Sequence, residues 1–201
     1  MFVDVKVLNR LIKTAYKAGG LHIEHTESGW ITISGFYWEV EVGDEELLNK
    51  VKAQLVELIG DIPGPGEAFM FEKGSDPQSE VIGCHYNNRM EFYDRLEHSY
   101  EISNVLLKTA NGNVSILQSG TAPKIMIPEW GTDLIDPDAV ECDELKLEPG
   151  RSNDKTPYVV WRNNVMALAL MKRTPKYSGE REFMDSTKDS DFCWEFQVDE
   201  E

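Results

Sequence analysis

Cysteine is scarce and scattered. Three in 201 residues (Cys84, Cys142 and Cys193), odd in number and far apart, exclude a disulfide framework and a close-spaced cysteine metal site. Long apolar runs are missing: no stretch approaches the roughly 18 to 20 residues of a membrane-spanning helix. The opening MFVDVKVLNRLIK mixes an acid and bases into its apolar residues, unlike a secretory signal. Positive charge is in short supply. Thirty-six acids against 20 bases leave −16 at pH 7, which argues against a general nucleic-acid-coating or anionic-membrane role.

Catalytic patterns are absent as well. In His22-Ile23-Glu24-His25 the two histidines of a strand point to opposite faces, and the zinc-protease order is not present. Cys84-His85 lacks a third orienting group, and adjacent side chains rarely aim at each other. Pro63-Gly64-Pro65-Gly66 is no phosphate loop, because its prolines remove the amides a phosphate needs. Asp136-Pro137-Asp138 is too sparse for a calcium loop. Residues 149–155, with Arg151 and Lys155, read as a strand connection with an anion loop as the alternative. The chain is therefore expected to be no enzyme, with no cofactor and no metal.

What is present is an apolar fraction of 41%, enough for a real core, in two periodicities. Val5, Leu8, Ile12 and Ala15 predict a helix over 5–18 closed by Gly19-Gly20, with Lys6, Arg10, Lys13 and Lys17 on its polar side. Strands follow at Leu21–His25, Trp30–Ser34 and Phe36–Glu41, the last placing Phe36 and Trp38 on one face and Tyr37 on the other. A helix is expected over 44–59, a strand at Ala68–Phe71, and a weakly patterned helix within 85–96. Asn111-Gly112 marks a hairpin between Glu101–Lys108 and Asn113–Gln118. Lys124–Pro128, Glu144–Glu148, Thr156–Trp161 and Val165–Met171 read as strands, with a short helix in Glu129–Ala139. Residues 174–191 read as a polar loop or arm, and Phe192–Val198 as a final strand.

These elements predict an α+β fold, mostly antiparallel sheet with two main helices and a short third. Residues 1–41 and 124–171 share the order strand, helix, strand, strand, strand, which admits a duplicated unit. The division follows: a core over 1–173, with halves 1–72 and 100–173 joined by 73–99, and an acidic C-terminal arm over 174–201.

Charge is uneven. Residues 1–18 hold four bases and one acid, a local +3; residues 127–150 hold eight acids against Lys146, a local −7. Nine acids against three bases over 176–201 give −6, and Glu39, Glu41 and Asp44 to Glu46 form another cluster. Glu129, Asp133, Asp136, Asp138, Glu141, Asp143, Glu144, Glu180, Glu182 and Asp185 are candidates for an acidic face that imitates a phosphate track; the alternative is solvated surface. Trp30, Tyr37 and Trp38 are aromatic candidates for a partner patch, with core packing as the alternative. The bases of the first helix are a candidate DNA-contact face, or the polar side of a surface helix.

Two resemblances add to this. AGGLHIEHTESGWITISGFYWEV (18–40), PGPGEAF (63–69) and NVSILQSG with KIMIPEWGTDLID look like uncharacterised proteins of bacteriophages and mobile elements. That resemblance implies a cytoplasmic protein of a bacterial host. Its expected role is to block a basic nucleic-acid-binding host protein, such as a CRISPR effector or another defence nuclease, and a phage structural or assembly subunit is a further alternative. DELKLEPGRSNDKTPYVVWRNNVMALALMKR (143–173) is similar to the closing strands of a sliding-clamp domain, which implies a replication role, a homo-oligomer and DNA contact through Lys6, Arg10, Lys13 and Lys17. The clamp pattern is departed from by an acidic second helix, an inserted helix at 44–59 and about 30 residues beyond the closing strands.

Overall fold

The computed structural model describes residues 1–72, 78–80, 88–136 and 146–192. Asp4 starts the first helix by accepting the Lys6 and Val7 amides on its side chain, at 2.7 and 2.9 Å. Helix α1 (Val5–Ala18) buries Leu8, Ile12 and Ala15 and ends at Gly19, whose left-handed backbone (φ 73°) turns its amide back onto Ala15 and Tyr16. The chain continues as β1 (Gly20–His25), β2 (Trp30–Ser34), β3 (Trp38–Gly43), α2 (Asn49–Ile59), β4 (Glu67–Glu72), β5 (Gln78–Glu80) and α3 (Arg89–Tyr93). Next come β6 (His98–Thr109), β7 (Gly112–Gln118), β8 (Ile125–Pro128), α4 (Glu129–Leu134), β9 (Gly150–Ser152), β10 (Tyr158–Asn163), β11 (Met166–Met171) and α5 (Ser178–Ser186).

Among the described residues eleven strands form one sheet in the order β5-β4-β1-β2-β3-β11-β10-β9-β6-β7-β8, with each of these pairings antiparallel. Its centre is the β3–β11 ladder, where Val40 faces Leu168. The flanking ladders are related by a constant offset. Adding 128 to the numbers of Ile31↔Val42 gives Val159↔Leu170, and the same step turns Ile33↔Val40 into Trp161↔Leu168. All five β2–β3 pairs map this way, so β10–β11 follows the same antiparallel register as β2–β3. Among the described residues the orders α1-β1-β2-β3 and α4-β9-β10-β11 run alike, but the strand expected ahead of α1 is reduced to an isolated bridge at Val3.

Alternation divides the sheet into two faces. Ile31, Ile33, Trp38, Val40, Val42, Trp161, Leu168 and Leu170 point to one core with α1, α2 and α4 over them. The opposite side carries Val160, Ala167 and Ala169 under Tyr93 and Leu96, and beyond them Val114, Ile116 and Met126 under α5.

Several expectations need correction. Strand β3 begins at Trp38, because Phe36 and Tyr37 are spent on the bend that joins it to β2; Trp38 is buried, and Phe36 and Tyr37 are exposed. Residues 44–46 form a turn and α2 starts at Asn49, which leaves Leu48 exposed ahead of the helix. Only Arg89–Tyr93 of the 85–96 segment is helical among the described residues. The strand expected at 144–148 is absent from its described part, 146–148. Instead Gly150–Ser152, read as a loop, pairs with β6 and β10. Helix α4 stops at Leu134, with Ile135 bridged to Val3. Residues 178–186 are helical where a loop was expected, because Phe183 and Met184 dock on the sheet. There are thus five helices among the described residues. Cys84, His85 and the strand expected from 192 onward, past Phe192, lie outside them.

Candidate functional site

Helix α1 lays its apolar stripe on the core, and the remaining arc faces solvent. Lys6, Arg10, Lys13 and Lys17 are all exposed on that arc and line a shallow depression of about 370 Å³ with Asn9 and Thr14. None of the four forms an ion pair among the described residues. Several arginines elsewhere are committed. Arg89 bridges Glu39 at 2.6 Å, Arg162 holds Asp94 and Glu148 at 2.7 and 2.9 Å, and Arg173 holds Glu180 at 2.8 Å. Arg151 and Arg162 sit over the ring of Tyr93, 4.7 and 4.4 Å from its centroid. Burial, against the pull of Arg151, pushes the Tyr93 phenol up to about 12. Arg151 therefore belongs to the sheet and not to an anion loop.

Beside α1 runs a groove of about 900 Å³. Arg10 and Thr14 form its α1 side, Glu129, Trp130 and Asp133 come from α4, and Tyr37 is contributed by the β2–β3 bend. Past the end of β11, Lys172, Arg173 and Lys176 complete it. Two of those cations are engaged: Lys172 donates to the Asn153 carbonyl at 2.9 Å and Arg173 to Thr109 and Glu180. Burial pushes the Lys172 ammonium below its ordinary value, with Asp154 opposing. Glu129 accepts from Asn113 Nδ2 at 2.9 Å, and Asp133 is exposed.

The acidic candidates do not share one surface. Helix α4, with Glu129 and Asp133, lies on the core side of β7 and β8, where Thr132 meets Ser115 at 3.1 Å. Helix α5, with exposed Glu182 and Asp185, packs on the other side through Phe183 and Met184. Asp136 is half-buried after α4, its amide donating to the Phe2 carbonyl. Glu180 is 5% exposed and serves the fold, not a surface. Asp138, Glu141, Asp143 and Glu144 lie outside the described residues. Nor do the aromatic candidates converge. Trp38 is 5% exposed in the core, and half-buried Trp30 sits at the opposite end of β2 from Tyr37.

Glu180 explains why α5 holds. Its Oε2 accepts the amides of Lys176 at 2.7 Å and Tyr177 at 3.3 Å, while Oε1 takes Arg173. Burial pushes this carboxyl up, but the two amides and the Arg173 charge together hold it below its ordinary value of 4.5. A depressed carboxyl contributes stability that is complete above the ordinary value and disappears as pH falls through the folded one. The Met184 methyl resonance is therefore expected to move to its solvent position with a midpoint below 4.5. In Glu180→Gln it should sit near that position at neutral pH; a wild-type midpoint at or above the ordinary value would contradict this assignment.

Compared with known protein families the chain matches none, and a search of curated proteins finds no relative. Among the described residues no three His, Cys, Asp or Glu side chains converge as metal ligands, and no helix is long and apolar enough to cross a membrane.

Proposed function

We propose that the protein is a non-enzymatic, clamp-like protein that holds nucleic acid against the basic face of α1. One observation carries this reading. In a chain of −16, four bases stand exposed and unpaired along one helical face, while the arginines of the sheet are bound to carboxylates or stacked on a ring. Net charge is a poor guide at contact, because salt screens surface charges beyond about 8 Å at physiological strength. A backbone lying on α1 feels the nearest charges first. Successive bases are three or four residues apart, a rise of roughly 4.5 to 6 Å, so one helical face meets consecutive phosphates. The like registers of β2–β3 and β10–β11 are compatible with the duplicated unit that the resemblance to a sliding-clamp domain implies.

The test is size exclusion with light scattering, with and without a labelled oligonucleotide, at low and moderate salt. Retention should weaken linearly with log salt, with a slope of roughly 0.7 to 0.9 per phosphate contact. Replacing Lys6, Arg10, Lys13 and Lys17 with glutamine should lower affinity at least tenfold and flatten that slope. Undiminished binding by this variant would remove α1 from the interface.

A second reading is favoured by the exposure of Glu182 and Asp185 side by side on α5. These acids would dock onto a basic nucleic-acid-binding host protein, as in an anti-CRISPR or other anti-defence protein of a phage. A monomer or dimer that ignores nucleic acid at low salt moves the assignment to this reading. Neutral amides at these two positions should then weaken capture of such a nuclease.

A further inference from the structure

Resting on the reading of α1 as the phosphate-contacting helix, we propose that the groove beside α1 receives the bases of a single strand, preferring those that carry an exocyclic amine. A pure phosphate track needs cations only, and carboxylates in it are repulsive. This groove has Arg10 on one side and Glu129, Asp133, Trp130 and Tyr37 elsewhere in its lining. A nucleotide matches that division of chemistry. Its phosphate is anionic, its base has a flat face that stacks on aromatic rings, and cytosine and adenine present N4 and N6 amines that donate to carboxylates.

The aromatic bend is placed for this role. Tyr37 is 58% exposed and Phe36 56%, with ring centroids 6.4 Å apart. Two adjacent exposed rings are apolar surface that a ligand would cover. The bend is also fixed. The Phe36 ring lies on Gly20 just past α1, so close that a Cβ there would sit 2.2 Å from it. The depression along α1 and the groove share Arg10 and Thr14, so the bases of α1 lead into the groove that Tyr37 lines. With Lys172 and Arg173 committed to the fold, Arg10 and Lys176 are the groove cations left to meet a phosphate. A duplex cannot use the rings, since its base faces are already stacked on one another.

Fluorescence anisotropy with four labelled probes of equal length tests this: an alternating cytosine–adenine strand, oligo-thymidine, an abasic strand and a mixed-sequence duplex. The cytosine–adenine strand should bind tightest, oligo-thymidine next, and the abasic strand and duplex most weakly. Tyr37→Ala should cost on the order of tenfold on the cytosine–adenine strand and leave the abasic strand unchanged. Tyr37→Phe should bind as wild type, and Glu129→Gln with Asp133→Asn should erase the preference over thymidine. Duplex or abasic binding as tight as the cytosine–adenine strand overturns the inference and leaves the α1 reading standing, as does equal binding of thymidine. Failure of every probe overturns both.

Discussion

Replacing Leu168 with alanine is expected to lower the unfolding free energy by about 3 to 4 kcal/mol. Leu168 is fully buried on the central strand, facing Val40 on β3 and Trp161 on β10. Truncation removes the transfer free energy of three carbons and leaves a cavity, and the cost depends on how far the surroundings can collapse. Here they cannot move far. The β11 backbone is held by ladders on both sides, and α4 already approaches so closely that a Cβ on Gly131 would lie 2.9 Å from Leu170. Urea unfolding followed by tryptophan fluorescence should show a lower midpoint at unchanged slope. Ile102→Ala, at a 40% exposed position on β6, should shift it by less than about 1 kcal/mol. Equal shifts for the two variants would mean that the central ladder is not the core.

Arg89→Met is expected to cost about 3 to 5 kcal/mol, the usual result of removing one partner of a buried ion pair. The Arg89 guanidinium donates to both Glu39 oxygens, at 2.6 and 3.1 Å, and lies over the Tyr158 ring, 4.8 Å from its centroid. Burial alone would lower its pKa, but the Glu39 carboxylate, with Tyr158 and Glu41, holds it above the ordinary value. The Arg89 amide also donates to fully buried Glu41 at 2.7 Å, so this short helix gives one strand carboxylate a counter-ion and the other a hydrogen bond. Methionine keeps much of the stem's packing and strips the charge, leaving half-buried Glu39 without its counter-ion. Arg89→Met combined with Glu39→Leu should recover most of the loss, because a buried pair exchanged for apolar groups is often neutral. A double variant as unstable as the sum of the singles would show that the two side chains act independently.

Arg89 also marks where a reading of the sequence stops. Glu39 and Glu41 stand in a run of acids and look like surface charge; their partner is some 50 residues away, and the spacing along the chain gives no sign of it. Local patterns, by contrast, were legible. The apolar stripe and Gly19-Gly20 set both ends of α1, and the Asn111-Gly112 signal falls where β6 turns into β7, with Gly112 at φ 101°. Alternation located β1, β2, β10 and β11 to within two residues, yet it ran through Phe36 because an aromatic in a tight bend looks like one in a strand. Helix α5 was missed under its charges, although Glu180, Phe183, Met184 and Thr187 keep helical spacing. The short β9 has no pattern of its own and exists through its neighbours. In the site, the four bases of α1 were visible as one face. Tyr37, Glu129 and Asp133 were each visible for other roles, and only the fold brings them beside Arg10.

The antiparallel β3–β11 ladder at the centre of the sheet has a mechanical corollary. The β3–β11 seam joins a five-stranded part of the sheet, ending at β3, to a six-stranded part beginning at β11, and no short loop connects them: the chain leaves β3 into α2 and enters β11 from β10. Cut between β4 and β6, the chain would yield halves that each show β3 or β11 as a bare inner edge, with its amides and carbonyls unpaired. Such an edge is a template for any matching strand, and the matching strand is already encoded in each half. A fragment of either half would satisfy its edge with another copy of itself, so dissection of this protein should produce symmetric pairs or longer ribbons instead of independent modules.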